Sequence, residues 1–236
     1  WGSAFSNEGT VATDINVTNN STVTNSGTIR GKISGKSLLG ATVNTKFVNE
    51  ANGKFDGILN YLSQIKNSGD IDVYYLYRIN ELNNEGKITI KSETGPRPTN
   101  HVFWVLNKFN NSGTIILKDV KDTADRGIVL KSQSENQSRY YANSGTIDVS
   151  LLNSGNAEDT LEAVKVIGQA DFVNSGIITA TANVSVKALW ADTVINSKKV
   201  IAKAIGSDTG ATAILANTFT NETEDSDILA EGDTAT

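Results

Sequence analysis

The stretch 141-YANSGTIDV-149 decides the fold, because it recurs. The phrase 109-FNNSGTIIL-117 stands 32 residues before it, and 172-FVNSGIITA-180 follows 31 residues after. Aligned on the glycine, the copies share the pattern apolar-x-Asn-x-Gly-x-apolar-x-apolar. The series begins with Phe5, Asn7, Gly9, Val11 and then Val23, Asn25, Gly27, Ile29. A stretched copy, 47-FVNEANGKF-55, carries two extra residues. Copies with Gly69, Gly86, Gly113, Gly145 and Gly176 follow, and two degenerate ones close the series, around Asn196-Ser197-Lys198 and Asn221-Glu222-Thr223. Ten copies of one phrase in 236 residues make a repeat architecture the first reading to pursue.

The period is uneven. Successive Gly positions, with Lys198 taken as the last, are separated by 18, 26, 16, 17, 27, 32, 31 and 22 residues. A helical repeat keeps a near-fixed length and a 3.6-residue pattern, and this chain does neither. After each Gly the apolar residues fall at plus two and plus four, which is the alternation of a strand buried on one face. Asn-Ser-Gly is turn chemistry, since Asn and Gly tolerate positive φ and Asn bonds nearby backbone. Looser strand-like runs precede most copies, among them 73-VYYLYRIN-80, 101-HVFWVLN-107, 163-AVKVIG-168 and 187-KALWA-191. Two or three short strands per repeat, with a fixed phrase and loops of variable length, predict an all-β chain, a right-handed parallel β-helix (a β-solenoid) of about ten coils. Coils stacked at about 4.8 Å would make a rod of about 45 Å. The Ile/Val positions then form an apolar column. Asn7, Asn25, Asn67, Asn84, Asn111, Asn143, Asn174, Asn196 and Asn221 form a ladder whose amides bond along the stack. Loops can lengthen without disturbing such a column.

The bulk composition narrows the chemistry. The chain has no Cys and one His, so disulfides, thiolate chemistry, a Cys-His dyad and a His-based zinc site are excluded, and no metal or other cofactor is expected. A net charge of -5 with interspersed signs speaks against nucleic acid as a partner. No apolar run approaches the roughly 20 residues of a membrane helix. The absence of Met, with Trp1 as the first residue, leads us to expect that residues 1–236 form one β-helix segment of a larger polypeptide. No signal peptide is visible within it.

Catalytic signals are weak. There is no G-x-S-x-G elbow beside His101, and no phosphate loop. Glycan-cleaving β-helices need carboxylates on neighbouring coils, and Asp56, Asp70 and Asp72, with Arg30 one coil below, are the best such constellation. An outer face of alternating charge is the simpler reading of it. The segment 222-ETEDSD-227 lacks the calcium-loop pattern. No catalytic residue is assigned.

Recognition is better placed in the loops of the longest repeats, between residues 87 and 176. Both prolines, Pro96 and Pro98, flank Arg97, which predicts a stiff, exposed presentation. Aromatic residues gather in the same part of the chain: Tyr74, Tyr75, Tyr77, Phe103, Trp104, Tyr140 and Tyr141. Strand alternation sends about half of them outward. Exposed aromatics beside Arg are common anchors of binding surfaces, and Arg97, His101, Tyr140 and Tyr74 are the candidate binding residues. Deleting 93–100 and 132–140 should spare the fold and reduce binding.

Repeated N-S-G-T-I phrases, the predicted β-helix and the lack of Cys resemble the passenger segment of a type V autotransporter, the Gram-negative surface adhesin and toxin class. The resemblance runs from Phe5 to Ala230. It implies Sec-dependent export, an outer-membrane β-barrel outside this segment, and threading of an unfolded passenger, which a disulfide would obstruct. It implies a location on the bacterial surface, or secretion, and a partner on a host or bacterial cell, protein or glycan. Two-partner haemagglutinins share these features. No protease motif accompanies them. The expectation is therefore a non-enzymatic adhesive rod. A polysaccharide-degrading enzyme, a cytotoxin segment and a passive spacer are the alternatives. Open rod ends predict end-to-end self-association.

Overall fold

The computed structural model describes residues 3–18, 20–35, 44–91, 101–119, 125–131, 139–153, 159–223 and 226–236; Asp125 and Arg126 are described by their backbone alone. Arg97 and both prolines lie outside the described residues. The described residues are built from strands and turns, with no helix.

The strands associate in parallel, each with the equivalent strand of the next repeat. Three ladders result. The first holds the strand that enters each Asn-Ser-Gly corner. Its inward register reads Phe5, Val23, Phe47, Ile65, Leu82, Phe109, Tyr141, Phe172, Val194 and Phe219. The second holds the strand that leaves the corner: Val11, Ile29, Phe55, Ile71, Ile88, Ile115, Ile147, Ile178, Val200 and Ile228. The third holds the looser strands: Ile15, Ile33, Leu59, Leu76, Phe103, Ile128, Val164, Leu189 and Ile214. A parallel partner cannot be reached by a tight hairpin, so the long strand-to-strand connections of uneven length are a requirement of the pairing.

The three columns face one another and make one continuous core. Phe47 and Phe55 meet edge-to-face at 5.3 Å, and Phe103 and Phe109 at 6.4 Å, between ladders rather than within one. Each such side chain, fully buried, contributes about 1.5–3 kcal/mol. Tyr141 occupies a Phe position of the first column because its hydroxyl donates to Leu106 O at 2.5 Å. At the two ends the columns open: Phe5 is 40% and Phe219 is 45% exposed.

The corner is held by side-chain amides. Asn7 Nδ2 donates to Asn25 Oδ1 at 2.8 Å, Asn25 to Asn49 at 2.8 Å, and Asn49 to Asn67 at 2.9 Å. The chain of bonds continues through Asn84, Asn111, Asn143, Asn174 and Asn196 to Asn221. Every one points the same way, toward the later repeat. Every amide of the column but that of Asn25 also reaches the carbonyl that closes its own turn, as Asn7 does to Gly9 O at 3.1 Å. Asn49, from the stretched copy, occupies the place between Asn25 and Asn67.

The glycine of the phrase serves a different purpose from the one its turn chemistry suggests. The positive-φ glycines among the described residues are Gly31, Gly57 and Gly168, none of them at this corner. Instead, a Cβ on Gly113 would lie 2.0 Å from Gly86 O, and one on Gly145 would lie 2.1 Å from Gly113 O. Stacked corners bring backbone onto backbone, and only a residue without a side chain fits. Lys198 and Thr223 replace the glycine in the last two copies; the amide bond into the Lys198 corner, Asn174 to Asn196, stays at 2.8 Å, and the last, Asn196 to Asn221, is 3.3 Å.

Candidate binding face

The site begins at a backbone irregularity. The strand Lys54–Asn60 runs in register with Asp70–Asn84, pairing Asn60 with Tyr77. The next residue on each strand turns a corner in the left-handed region, Tyr61 at φ 55° and Arg78 at φ 53°. Neither is glycine, and such a conformation costs about 1–3 kcal/mol each. Gly35 precedes Tyr61 in the same column, and a Cβ there would lie 1.9 Å from Tyr61 O. The corner brings Tyr61 and Arg78, equivalent residues of neighbouring strands, together.

Those side chains join an aromatic cluster whose linking ring, Tyr77, is buried. Tyr61, 39% exposed, meets the Tyr77 ring at 5.6 Å and 86°. Tyr77 meets Trp104 at 5.2 Å, and Trp104 meets His101 at 4.8 Å. The Arg78 guanidinium lies 5.8 Å from the Tyr61 ring centre and 5.5 Å from that of Trp104. Edge-to-face pairs are worth about 0.5–1.5 kcal/mol beyond their area, and exposed cation–π contacts about 0.5–1 kcal/mol. Together they fix four rings and a cation in one orientation, with Tyr77 buried at 6% exposure beneath the others. The indole Nε1 of Trp104 is buried and donates to no described residue. Rigid aromatics with a fixed Arg have the composition of binding anchors.

The sequence-level candidates separate in space. His101 belongs to this face. Tyr74 belongs to another group: Lys91 Nζ lies 4.9 Å from its ring and is hydrogen-bonded to Asp56 Oδ1. Burial lowers the pKa of Lys91, but the bond and charge of Asp56, with Tyr74 and Asp72, outweigh it and leave the pKa raised. Tyr140, 52% exposed, stands in the first ladder opposite Lys108, apart from both groups. Arg97 lies outside the described residues, as do all of 93–100 and, of the segment 132–140, residues 132–138. Tyr61 and Arg78, which organise the face, carry no sequence signal, because nothing in the local pattern marks a non-glycine left-handed corner.

The carboxylates align as stacking requires. Arg30, Asp56, Asp72 and Thr89 are register partners in turn. Asp56 is occupied by Lys91, and Asp70 sits in register between Lys54 and Lys87. Asp56 and Asp70 thus each have cations nearby, whereas the register partners of Asp72 are Asp56 and Thr89. Among the described residues no cluster of three or more His, Cys, Asp or Glu could hold a metal ion. Tyr75, beneath this face, has its pKa raised by burial, opposed by a hydrogen bond with Asn60.

Comparison with protein-family models, with curated proteins and with solved structures finds no match to this chain.

Proposed function

We propose that the chain is a right-handed parallel β-helix of about ten coils, serving as the rod of a bacterial surface adhesin of the autotransporter-passenger kind. Three parallel ladders, each linking equivalent residues of successive repeats, support the helical reading. A β-helix displays one face over a long distance, which suits presentation. The observation that carries the binding role is the cluster of exposed Tyr61 with half-buried Arg78, Trp104 and His101, set on the buried ring of Tyr77. It is organised by two left-handed corners whose backbone cost has no counterpart in the core, as at other functional sites. The pairing of Asp56 with Lys91 favours this reading over glycan cleavage.

The partner is a protein or glycan on a host or bacterial cell, and the protein acts outside the bacterium that makes it. Fluorescently labelled protein should bind such cells. Arg78→Ala and Trp104→Ala should each lower binding about tenfold or more, as anchors do, while each still unfolds in a single cooperative urea transition. Equal cell binding by both variants and the parent would overturn the assignment of this face.

A further inference from the structure

We infer that copies of this chain stack head to tail, the last repeat of one receiving the first repeat of the next in the register of the ladders. The partner is a second copy of this chain. The ladders alone carry the assembly, whatever the rod binds.

Both ends present column residues that the inner repeats bury. At one end Phe5 is 40% exposed, and Val11 and Ile15 are half-buried. Their register partners one repeat in, Val23, Ile29 and Ile33, are fully buried. At the other end Phe219 is 45% and Ile228 40% exposed, while their partners Val194 and Val200 are fully buried. Laying Phe5 on Phe219 and Val11 on Ile228 continues the first and second ladders by one step. The residues that meet are of the classes that meet inside, so the contact is continuous with the interface between repeats.

The polar groups of the two ends are complementary because the amide ladder has a direction. Asn7 Nδ2 donates to Asn25 Oδ1, but Asn7 Oδ1 accepts from no described residue. Asn174 Nδ2 donates both to Gly176 O and to Asn196 Oδ1, whereas Asn221 Nδ2 donates to Thr223 O and to no later asparagine. A spare donor at the last repeat thus meets a spare acceptor at the first. The backbone matches in the same sense. Ser26 N and Gly27 N donate to Asn7 O, and Thr28 N donates to Gly9 O. In the junction Glu8 N and Gly9 N donate to Asn221 O, and Thr10 N to Thr223 O. The corner at Gly9 is open to receive them, since a Cβ there would meet nothing within 4 Å.

Neither symmetric junction fits. Two first repeats, or two last repeats, joined about a two-fold axis would run their strands antiparallel and set acceptor against acceptor or donor against donor. Residues 204–236 also carry seven Asp and Glu and no Lys, Arg or His, so two last repeats repel each other. Residues 1–27 hold two acids, Glu8 and Asp14. A contact between unlike faces does not close on itself and generates open filaments. Unpaired strand edges are templates for such addition.

The test is sedimentation velocity of the purified chain over a concentration series. The parent should form a series of oligomers that lengthens with concentration. Phe5→Glu and Phe219→Glu each place an unpaired carboxylate in the junction and should sediment as monomers. Mixed in equal amounts they should give dimers and nothing larger, because each retains one intact face. Asn221→Ala, which removes the spare donor, should weaken association about threefold to tenfold. A parent that stays monomeric up to about 0.1 mM overturns the inference. Self-association of Phe219→Glu alone would mean that first repeats pair, of Phe5→Glu alone that last repeats pair, and of both that contact is lateral; each overturns it. So does a mixture that stays monomeric although each variant unfolds cooperatively in urea. If either Glu variant does not fold, Asn221→Ala decides, and association as tight as the parent's overturns the inference.

Discussion

The side-chain amide of Asn84 donates to Asn111 Oδ1 at 2.7 Å across 27 positions of sequence. Asn111 in turn donates to Asn143 Oδ1 at 2.8 Å and lies wholly buried. Asn111→Ala therefore strands a donor below and an acceptor above. Each buried unpaired group costs about 1–3 kcal/mol, so the variant should lose about 2–5 kcal/mol in urea unfolding. Asn221→Ala, at the exposed end of the same column, should fall within about 0.5 kcal/mol of the parent. Equal losses at both positions would mean that the ladder contributes nothing through burial.

Glycines of the phrase should differ sharply by position. A Cβ on Gly113 meets Gly86 O at 2.0 Å, whereas one on Gly9 meets nothing within 4 Å. Gly113→Ala must push one repeat away from the next and should cost about 3 kcal/mol or more, at the upper end of overpacking effects. Gly9→Ala should be neutral or stabilise by about 0.4–1 kcal/mol, because it restricts the unfolded chain. Thermal denaturation of the two variants side by side checks this. A large loss in Gly9→Ala would return the argument to backbone conformation.

Lys91 should make stability fall at high pH. Its pKa is raised in the folded chain, chiefly by Asp56 acting against burial. A lysine raised in this way contributes stability that is fully present below its unfolded pKa of about 10.4. That contribution is lost as pH rises through the higher folded value. The parent should thus exceed Lys91→Gln in unfolding midpoint at pH 8, and the gap should close above about pH 10.4. Tyr75 titrates in the same range in both proteins, so the difference between them isolates Lys91. A gap constant from pH 8 to 12 would contradict the assignment.

Stacking made much of this architecture legible. A residue that must touch its own equivalent in the next repeat leaves a column in the sequence, as Asn111, Ile115 and Asp72 do. Asn49 was harder to place because two extra residues separate it from its glycine, although its amide contact to Gly53 O, at 3.0 Å, is the same as elsewhere. The need for glycine was legible and its cause was not, since a carbonyl 2 Å from an absent Cβ exists only once the repeats are stacked. The binding face was the least legible. Trp104 and Tyr77 were visible as aromatics, but Tyr61 and Arg78 join them through a left-handed corner that no turn residue announces. Lys91 reaches Asp56 over an intervening repeat, a contact that the column pattern alone does not select.

The corner at Arg78 separates backbone strain from side-chain function. At φ 53° a non-glycine residue is strained, yet the guanidinium is held over both Tyr61 and Trp104. Arg78→Gly relieves the strain and removes the cation; Arg78→Ala removes the cation alone. The Gly variant should therefore be about 1–2 kcal/mol more stable than the Ala variant in urea unfolding, and close to the parent once the lost cation–π contacts of about 0.5–1 kcal/mol are set against the relief. Both variants should bind cells equally poorly. If Arg78→Gly matched the parent in stability and also kept full cell binding, the left-handed corner would be an accident of chain path, and the aromatic surface it builds would have to be reassigned to packing.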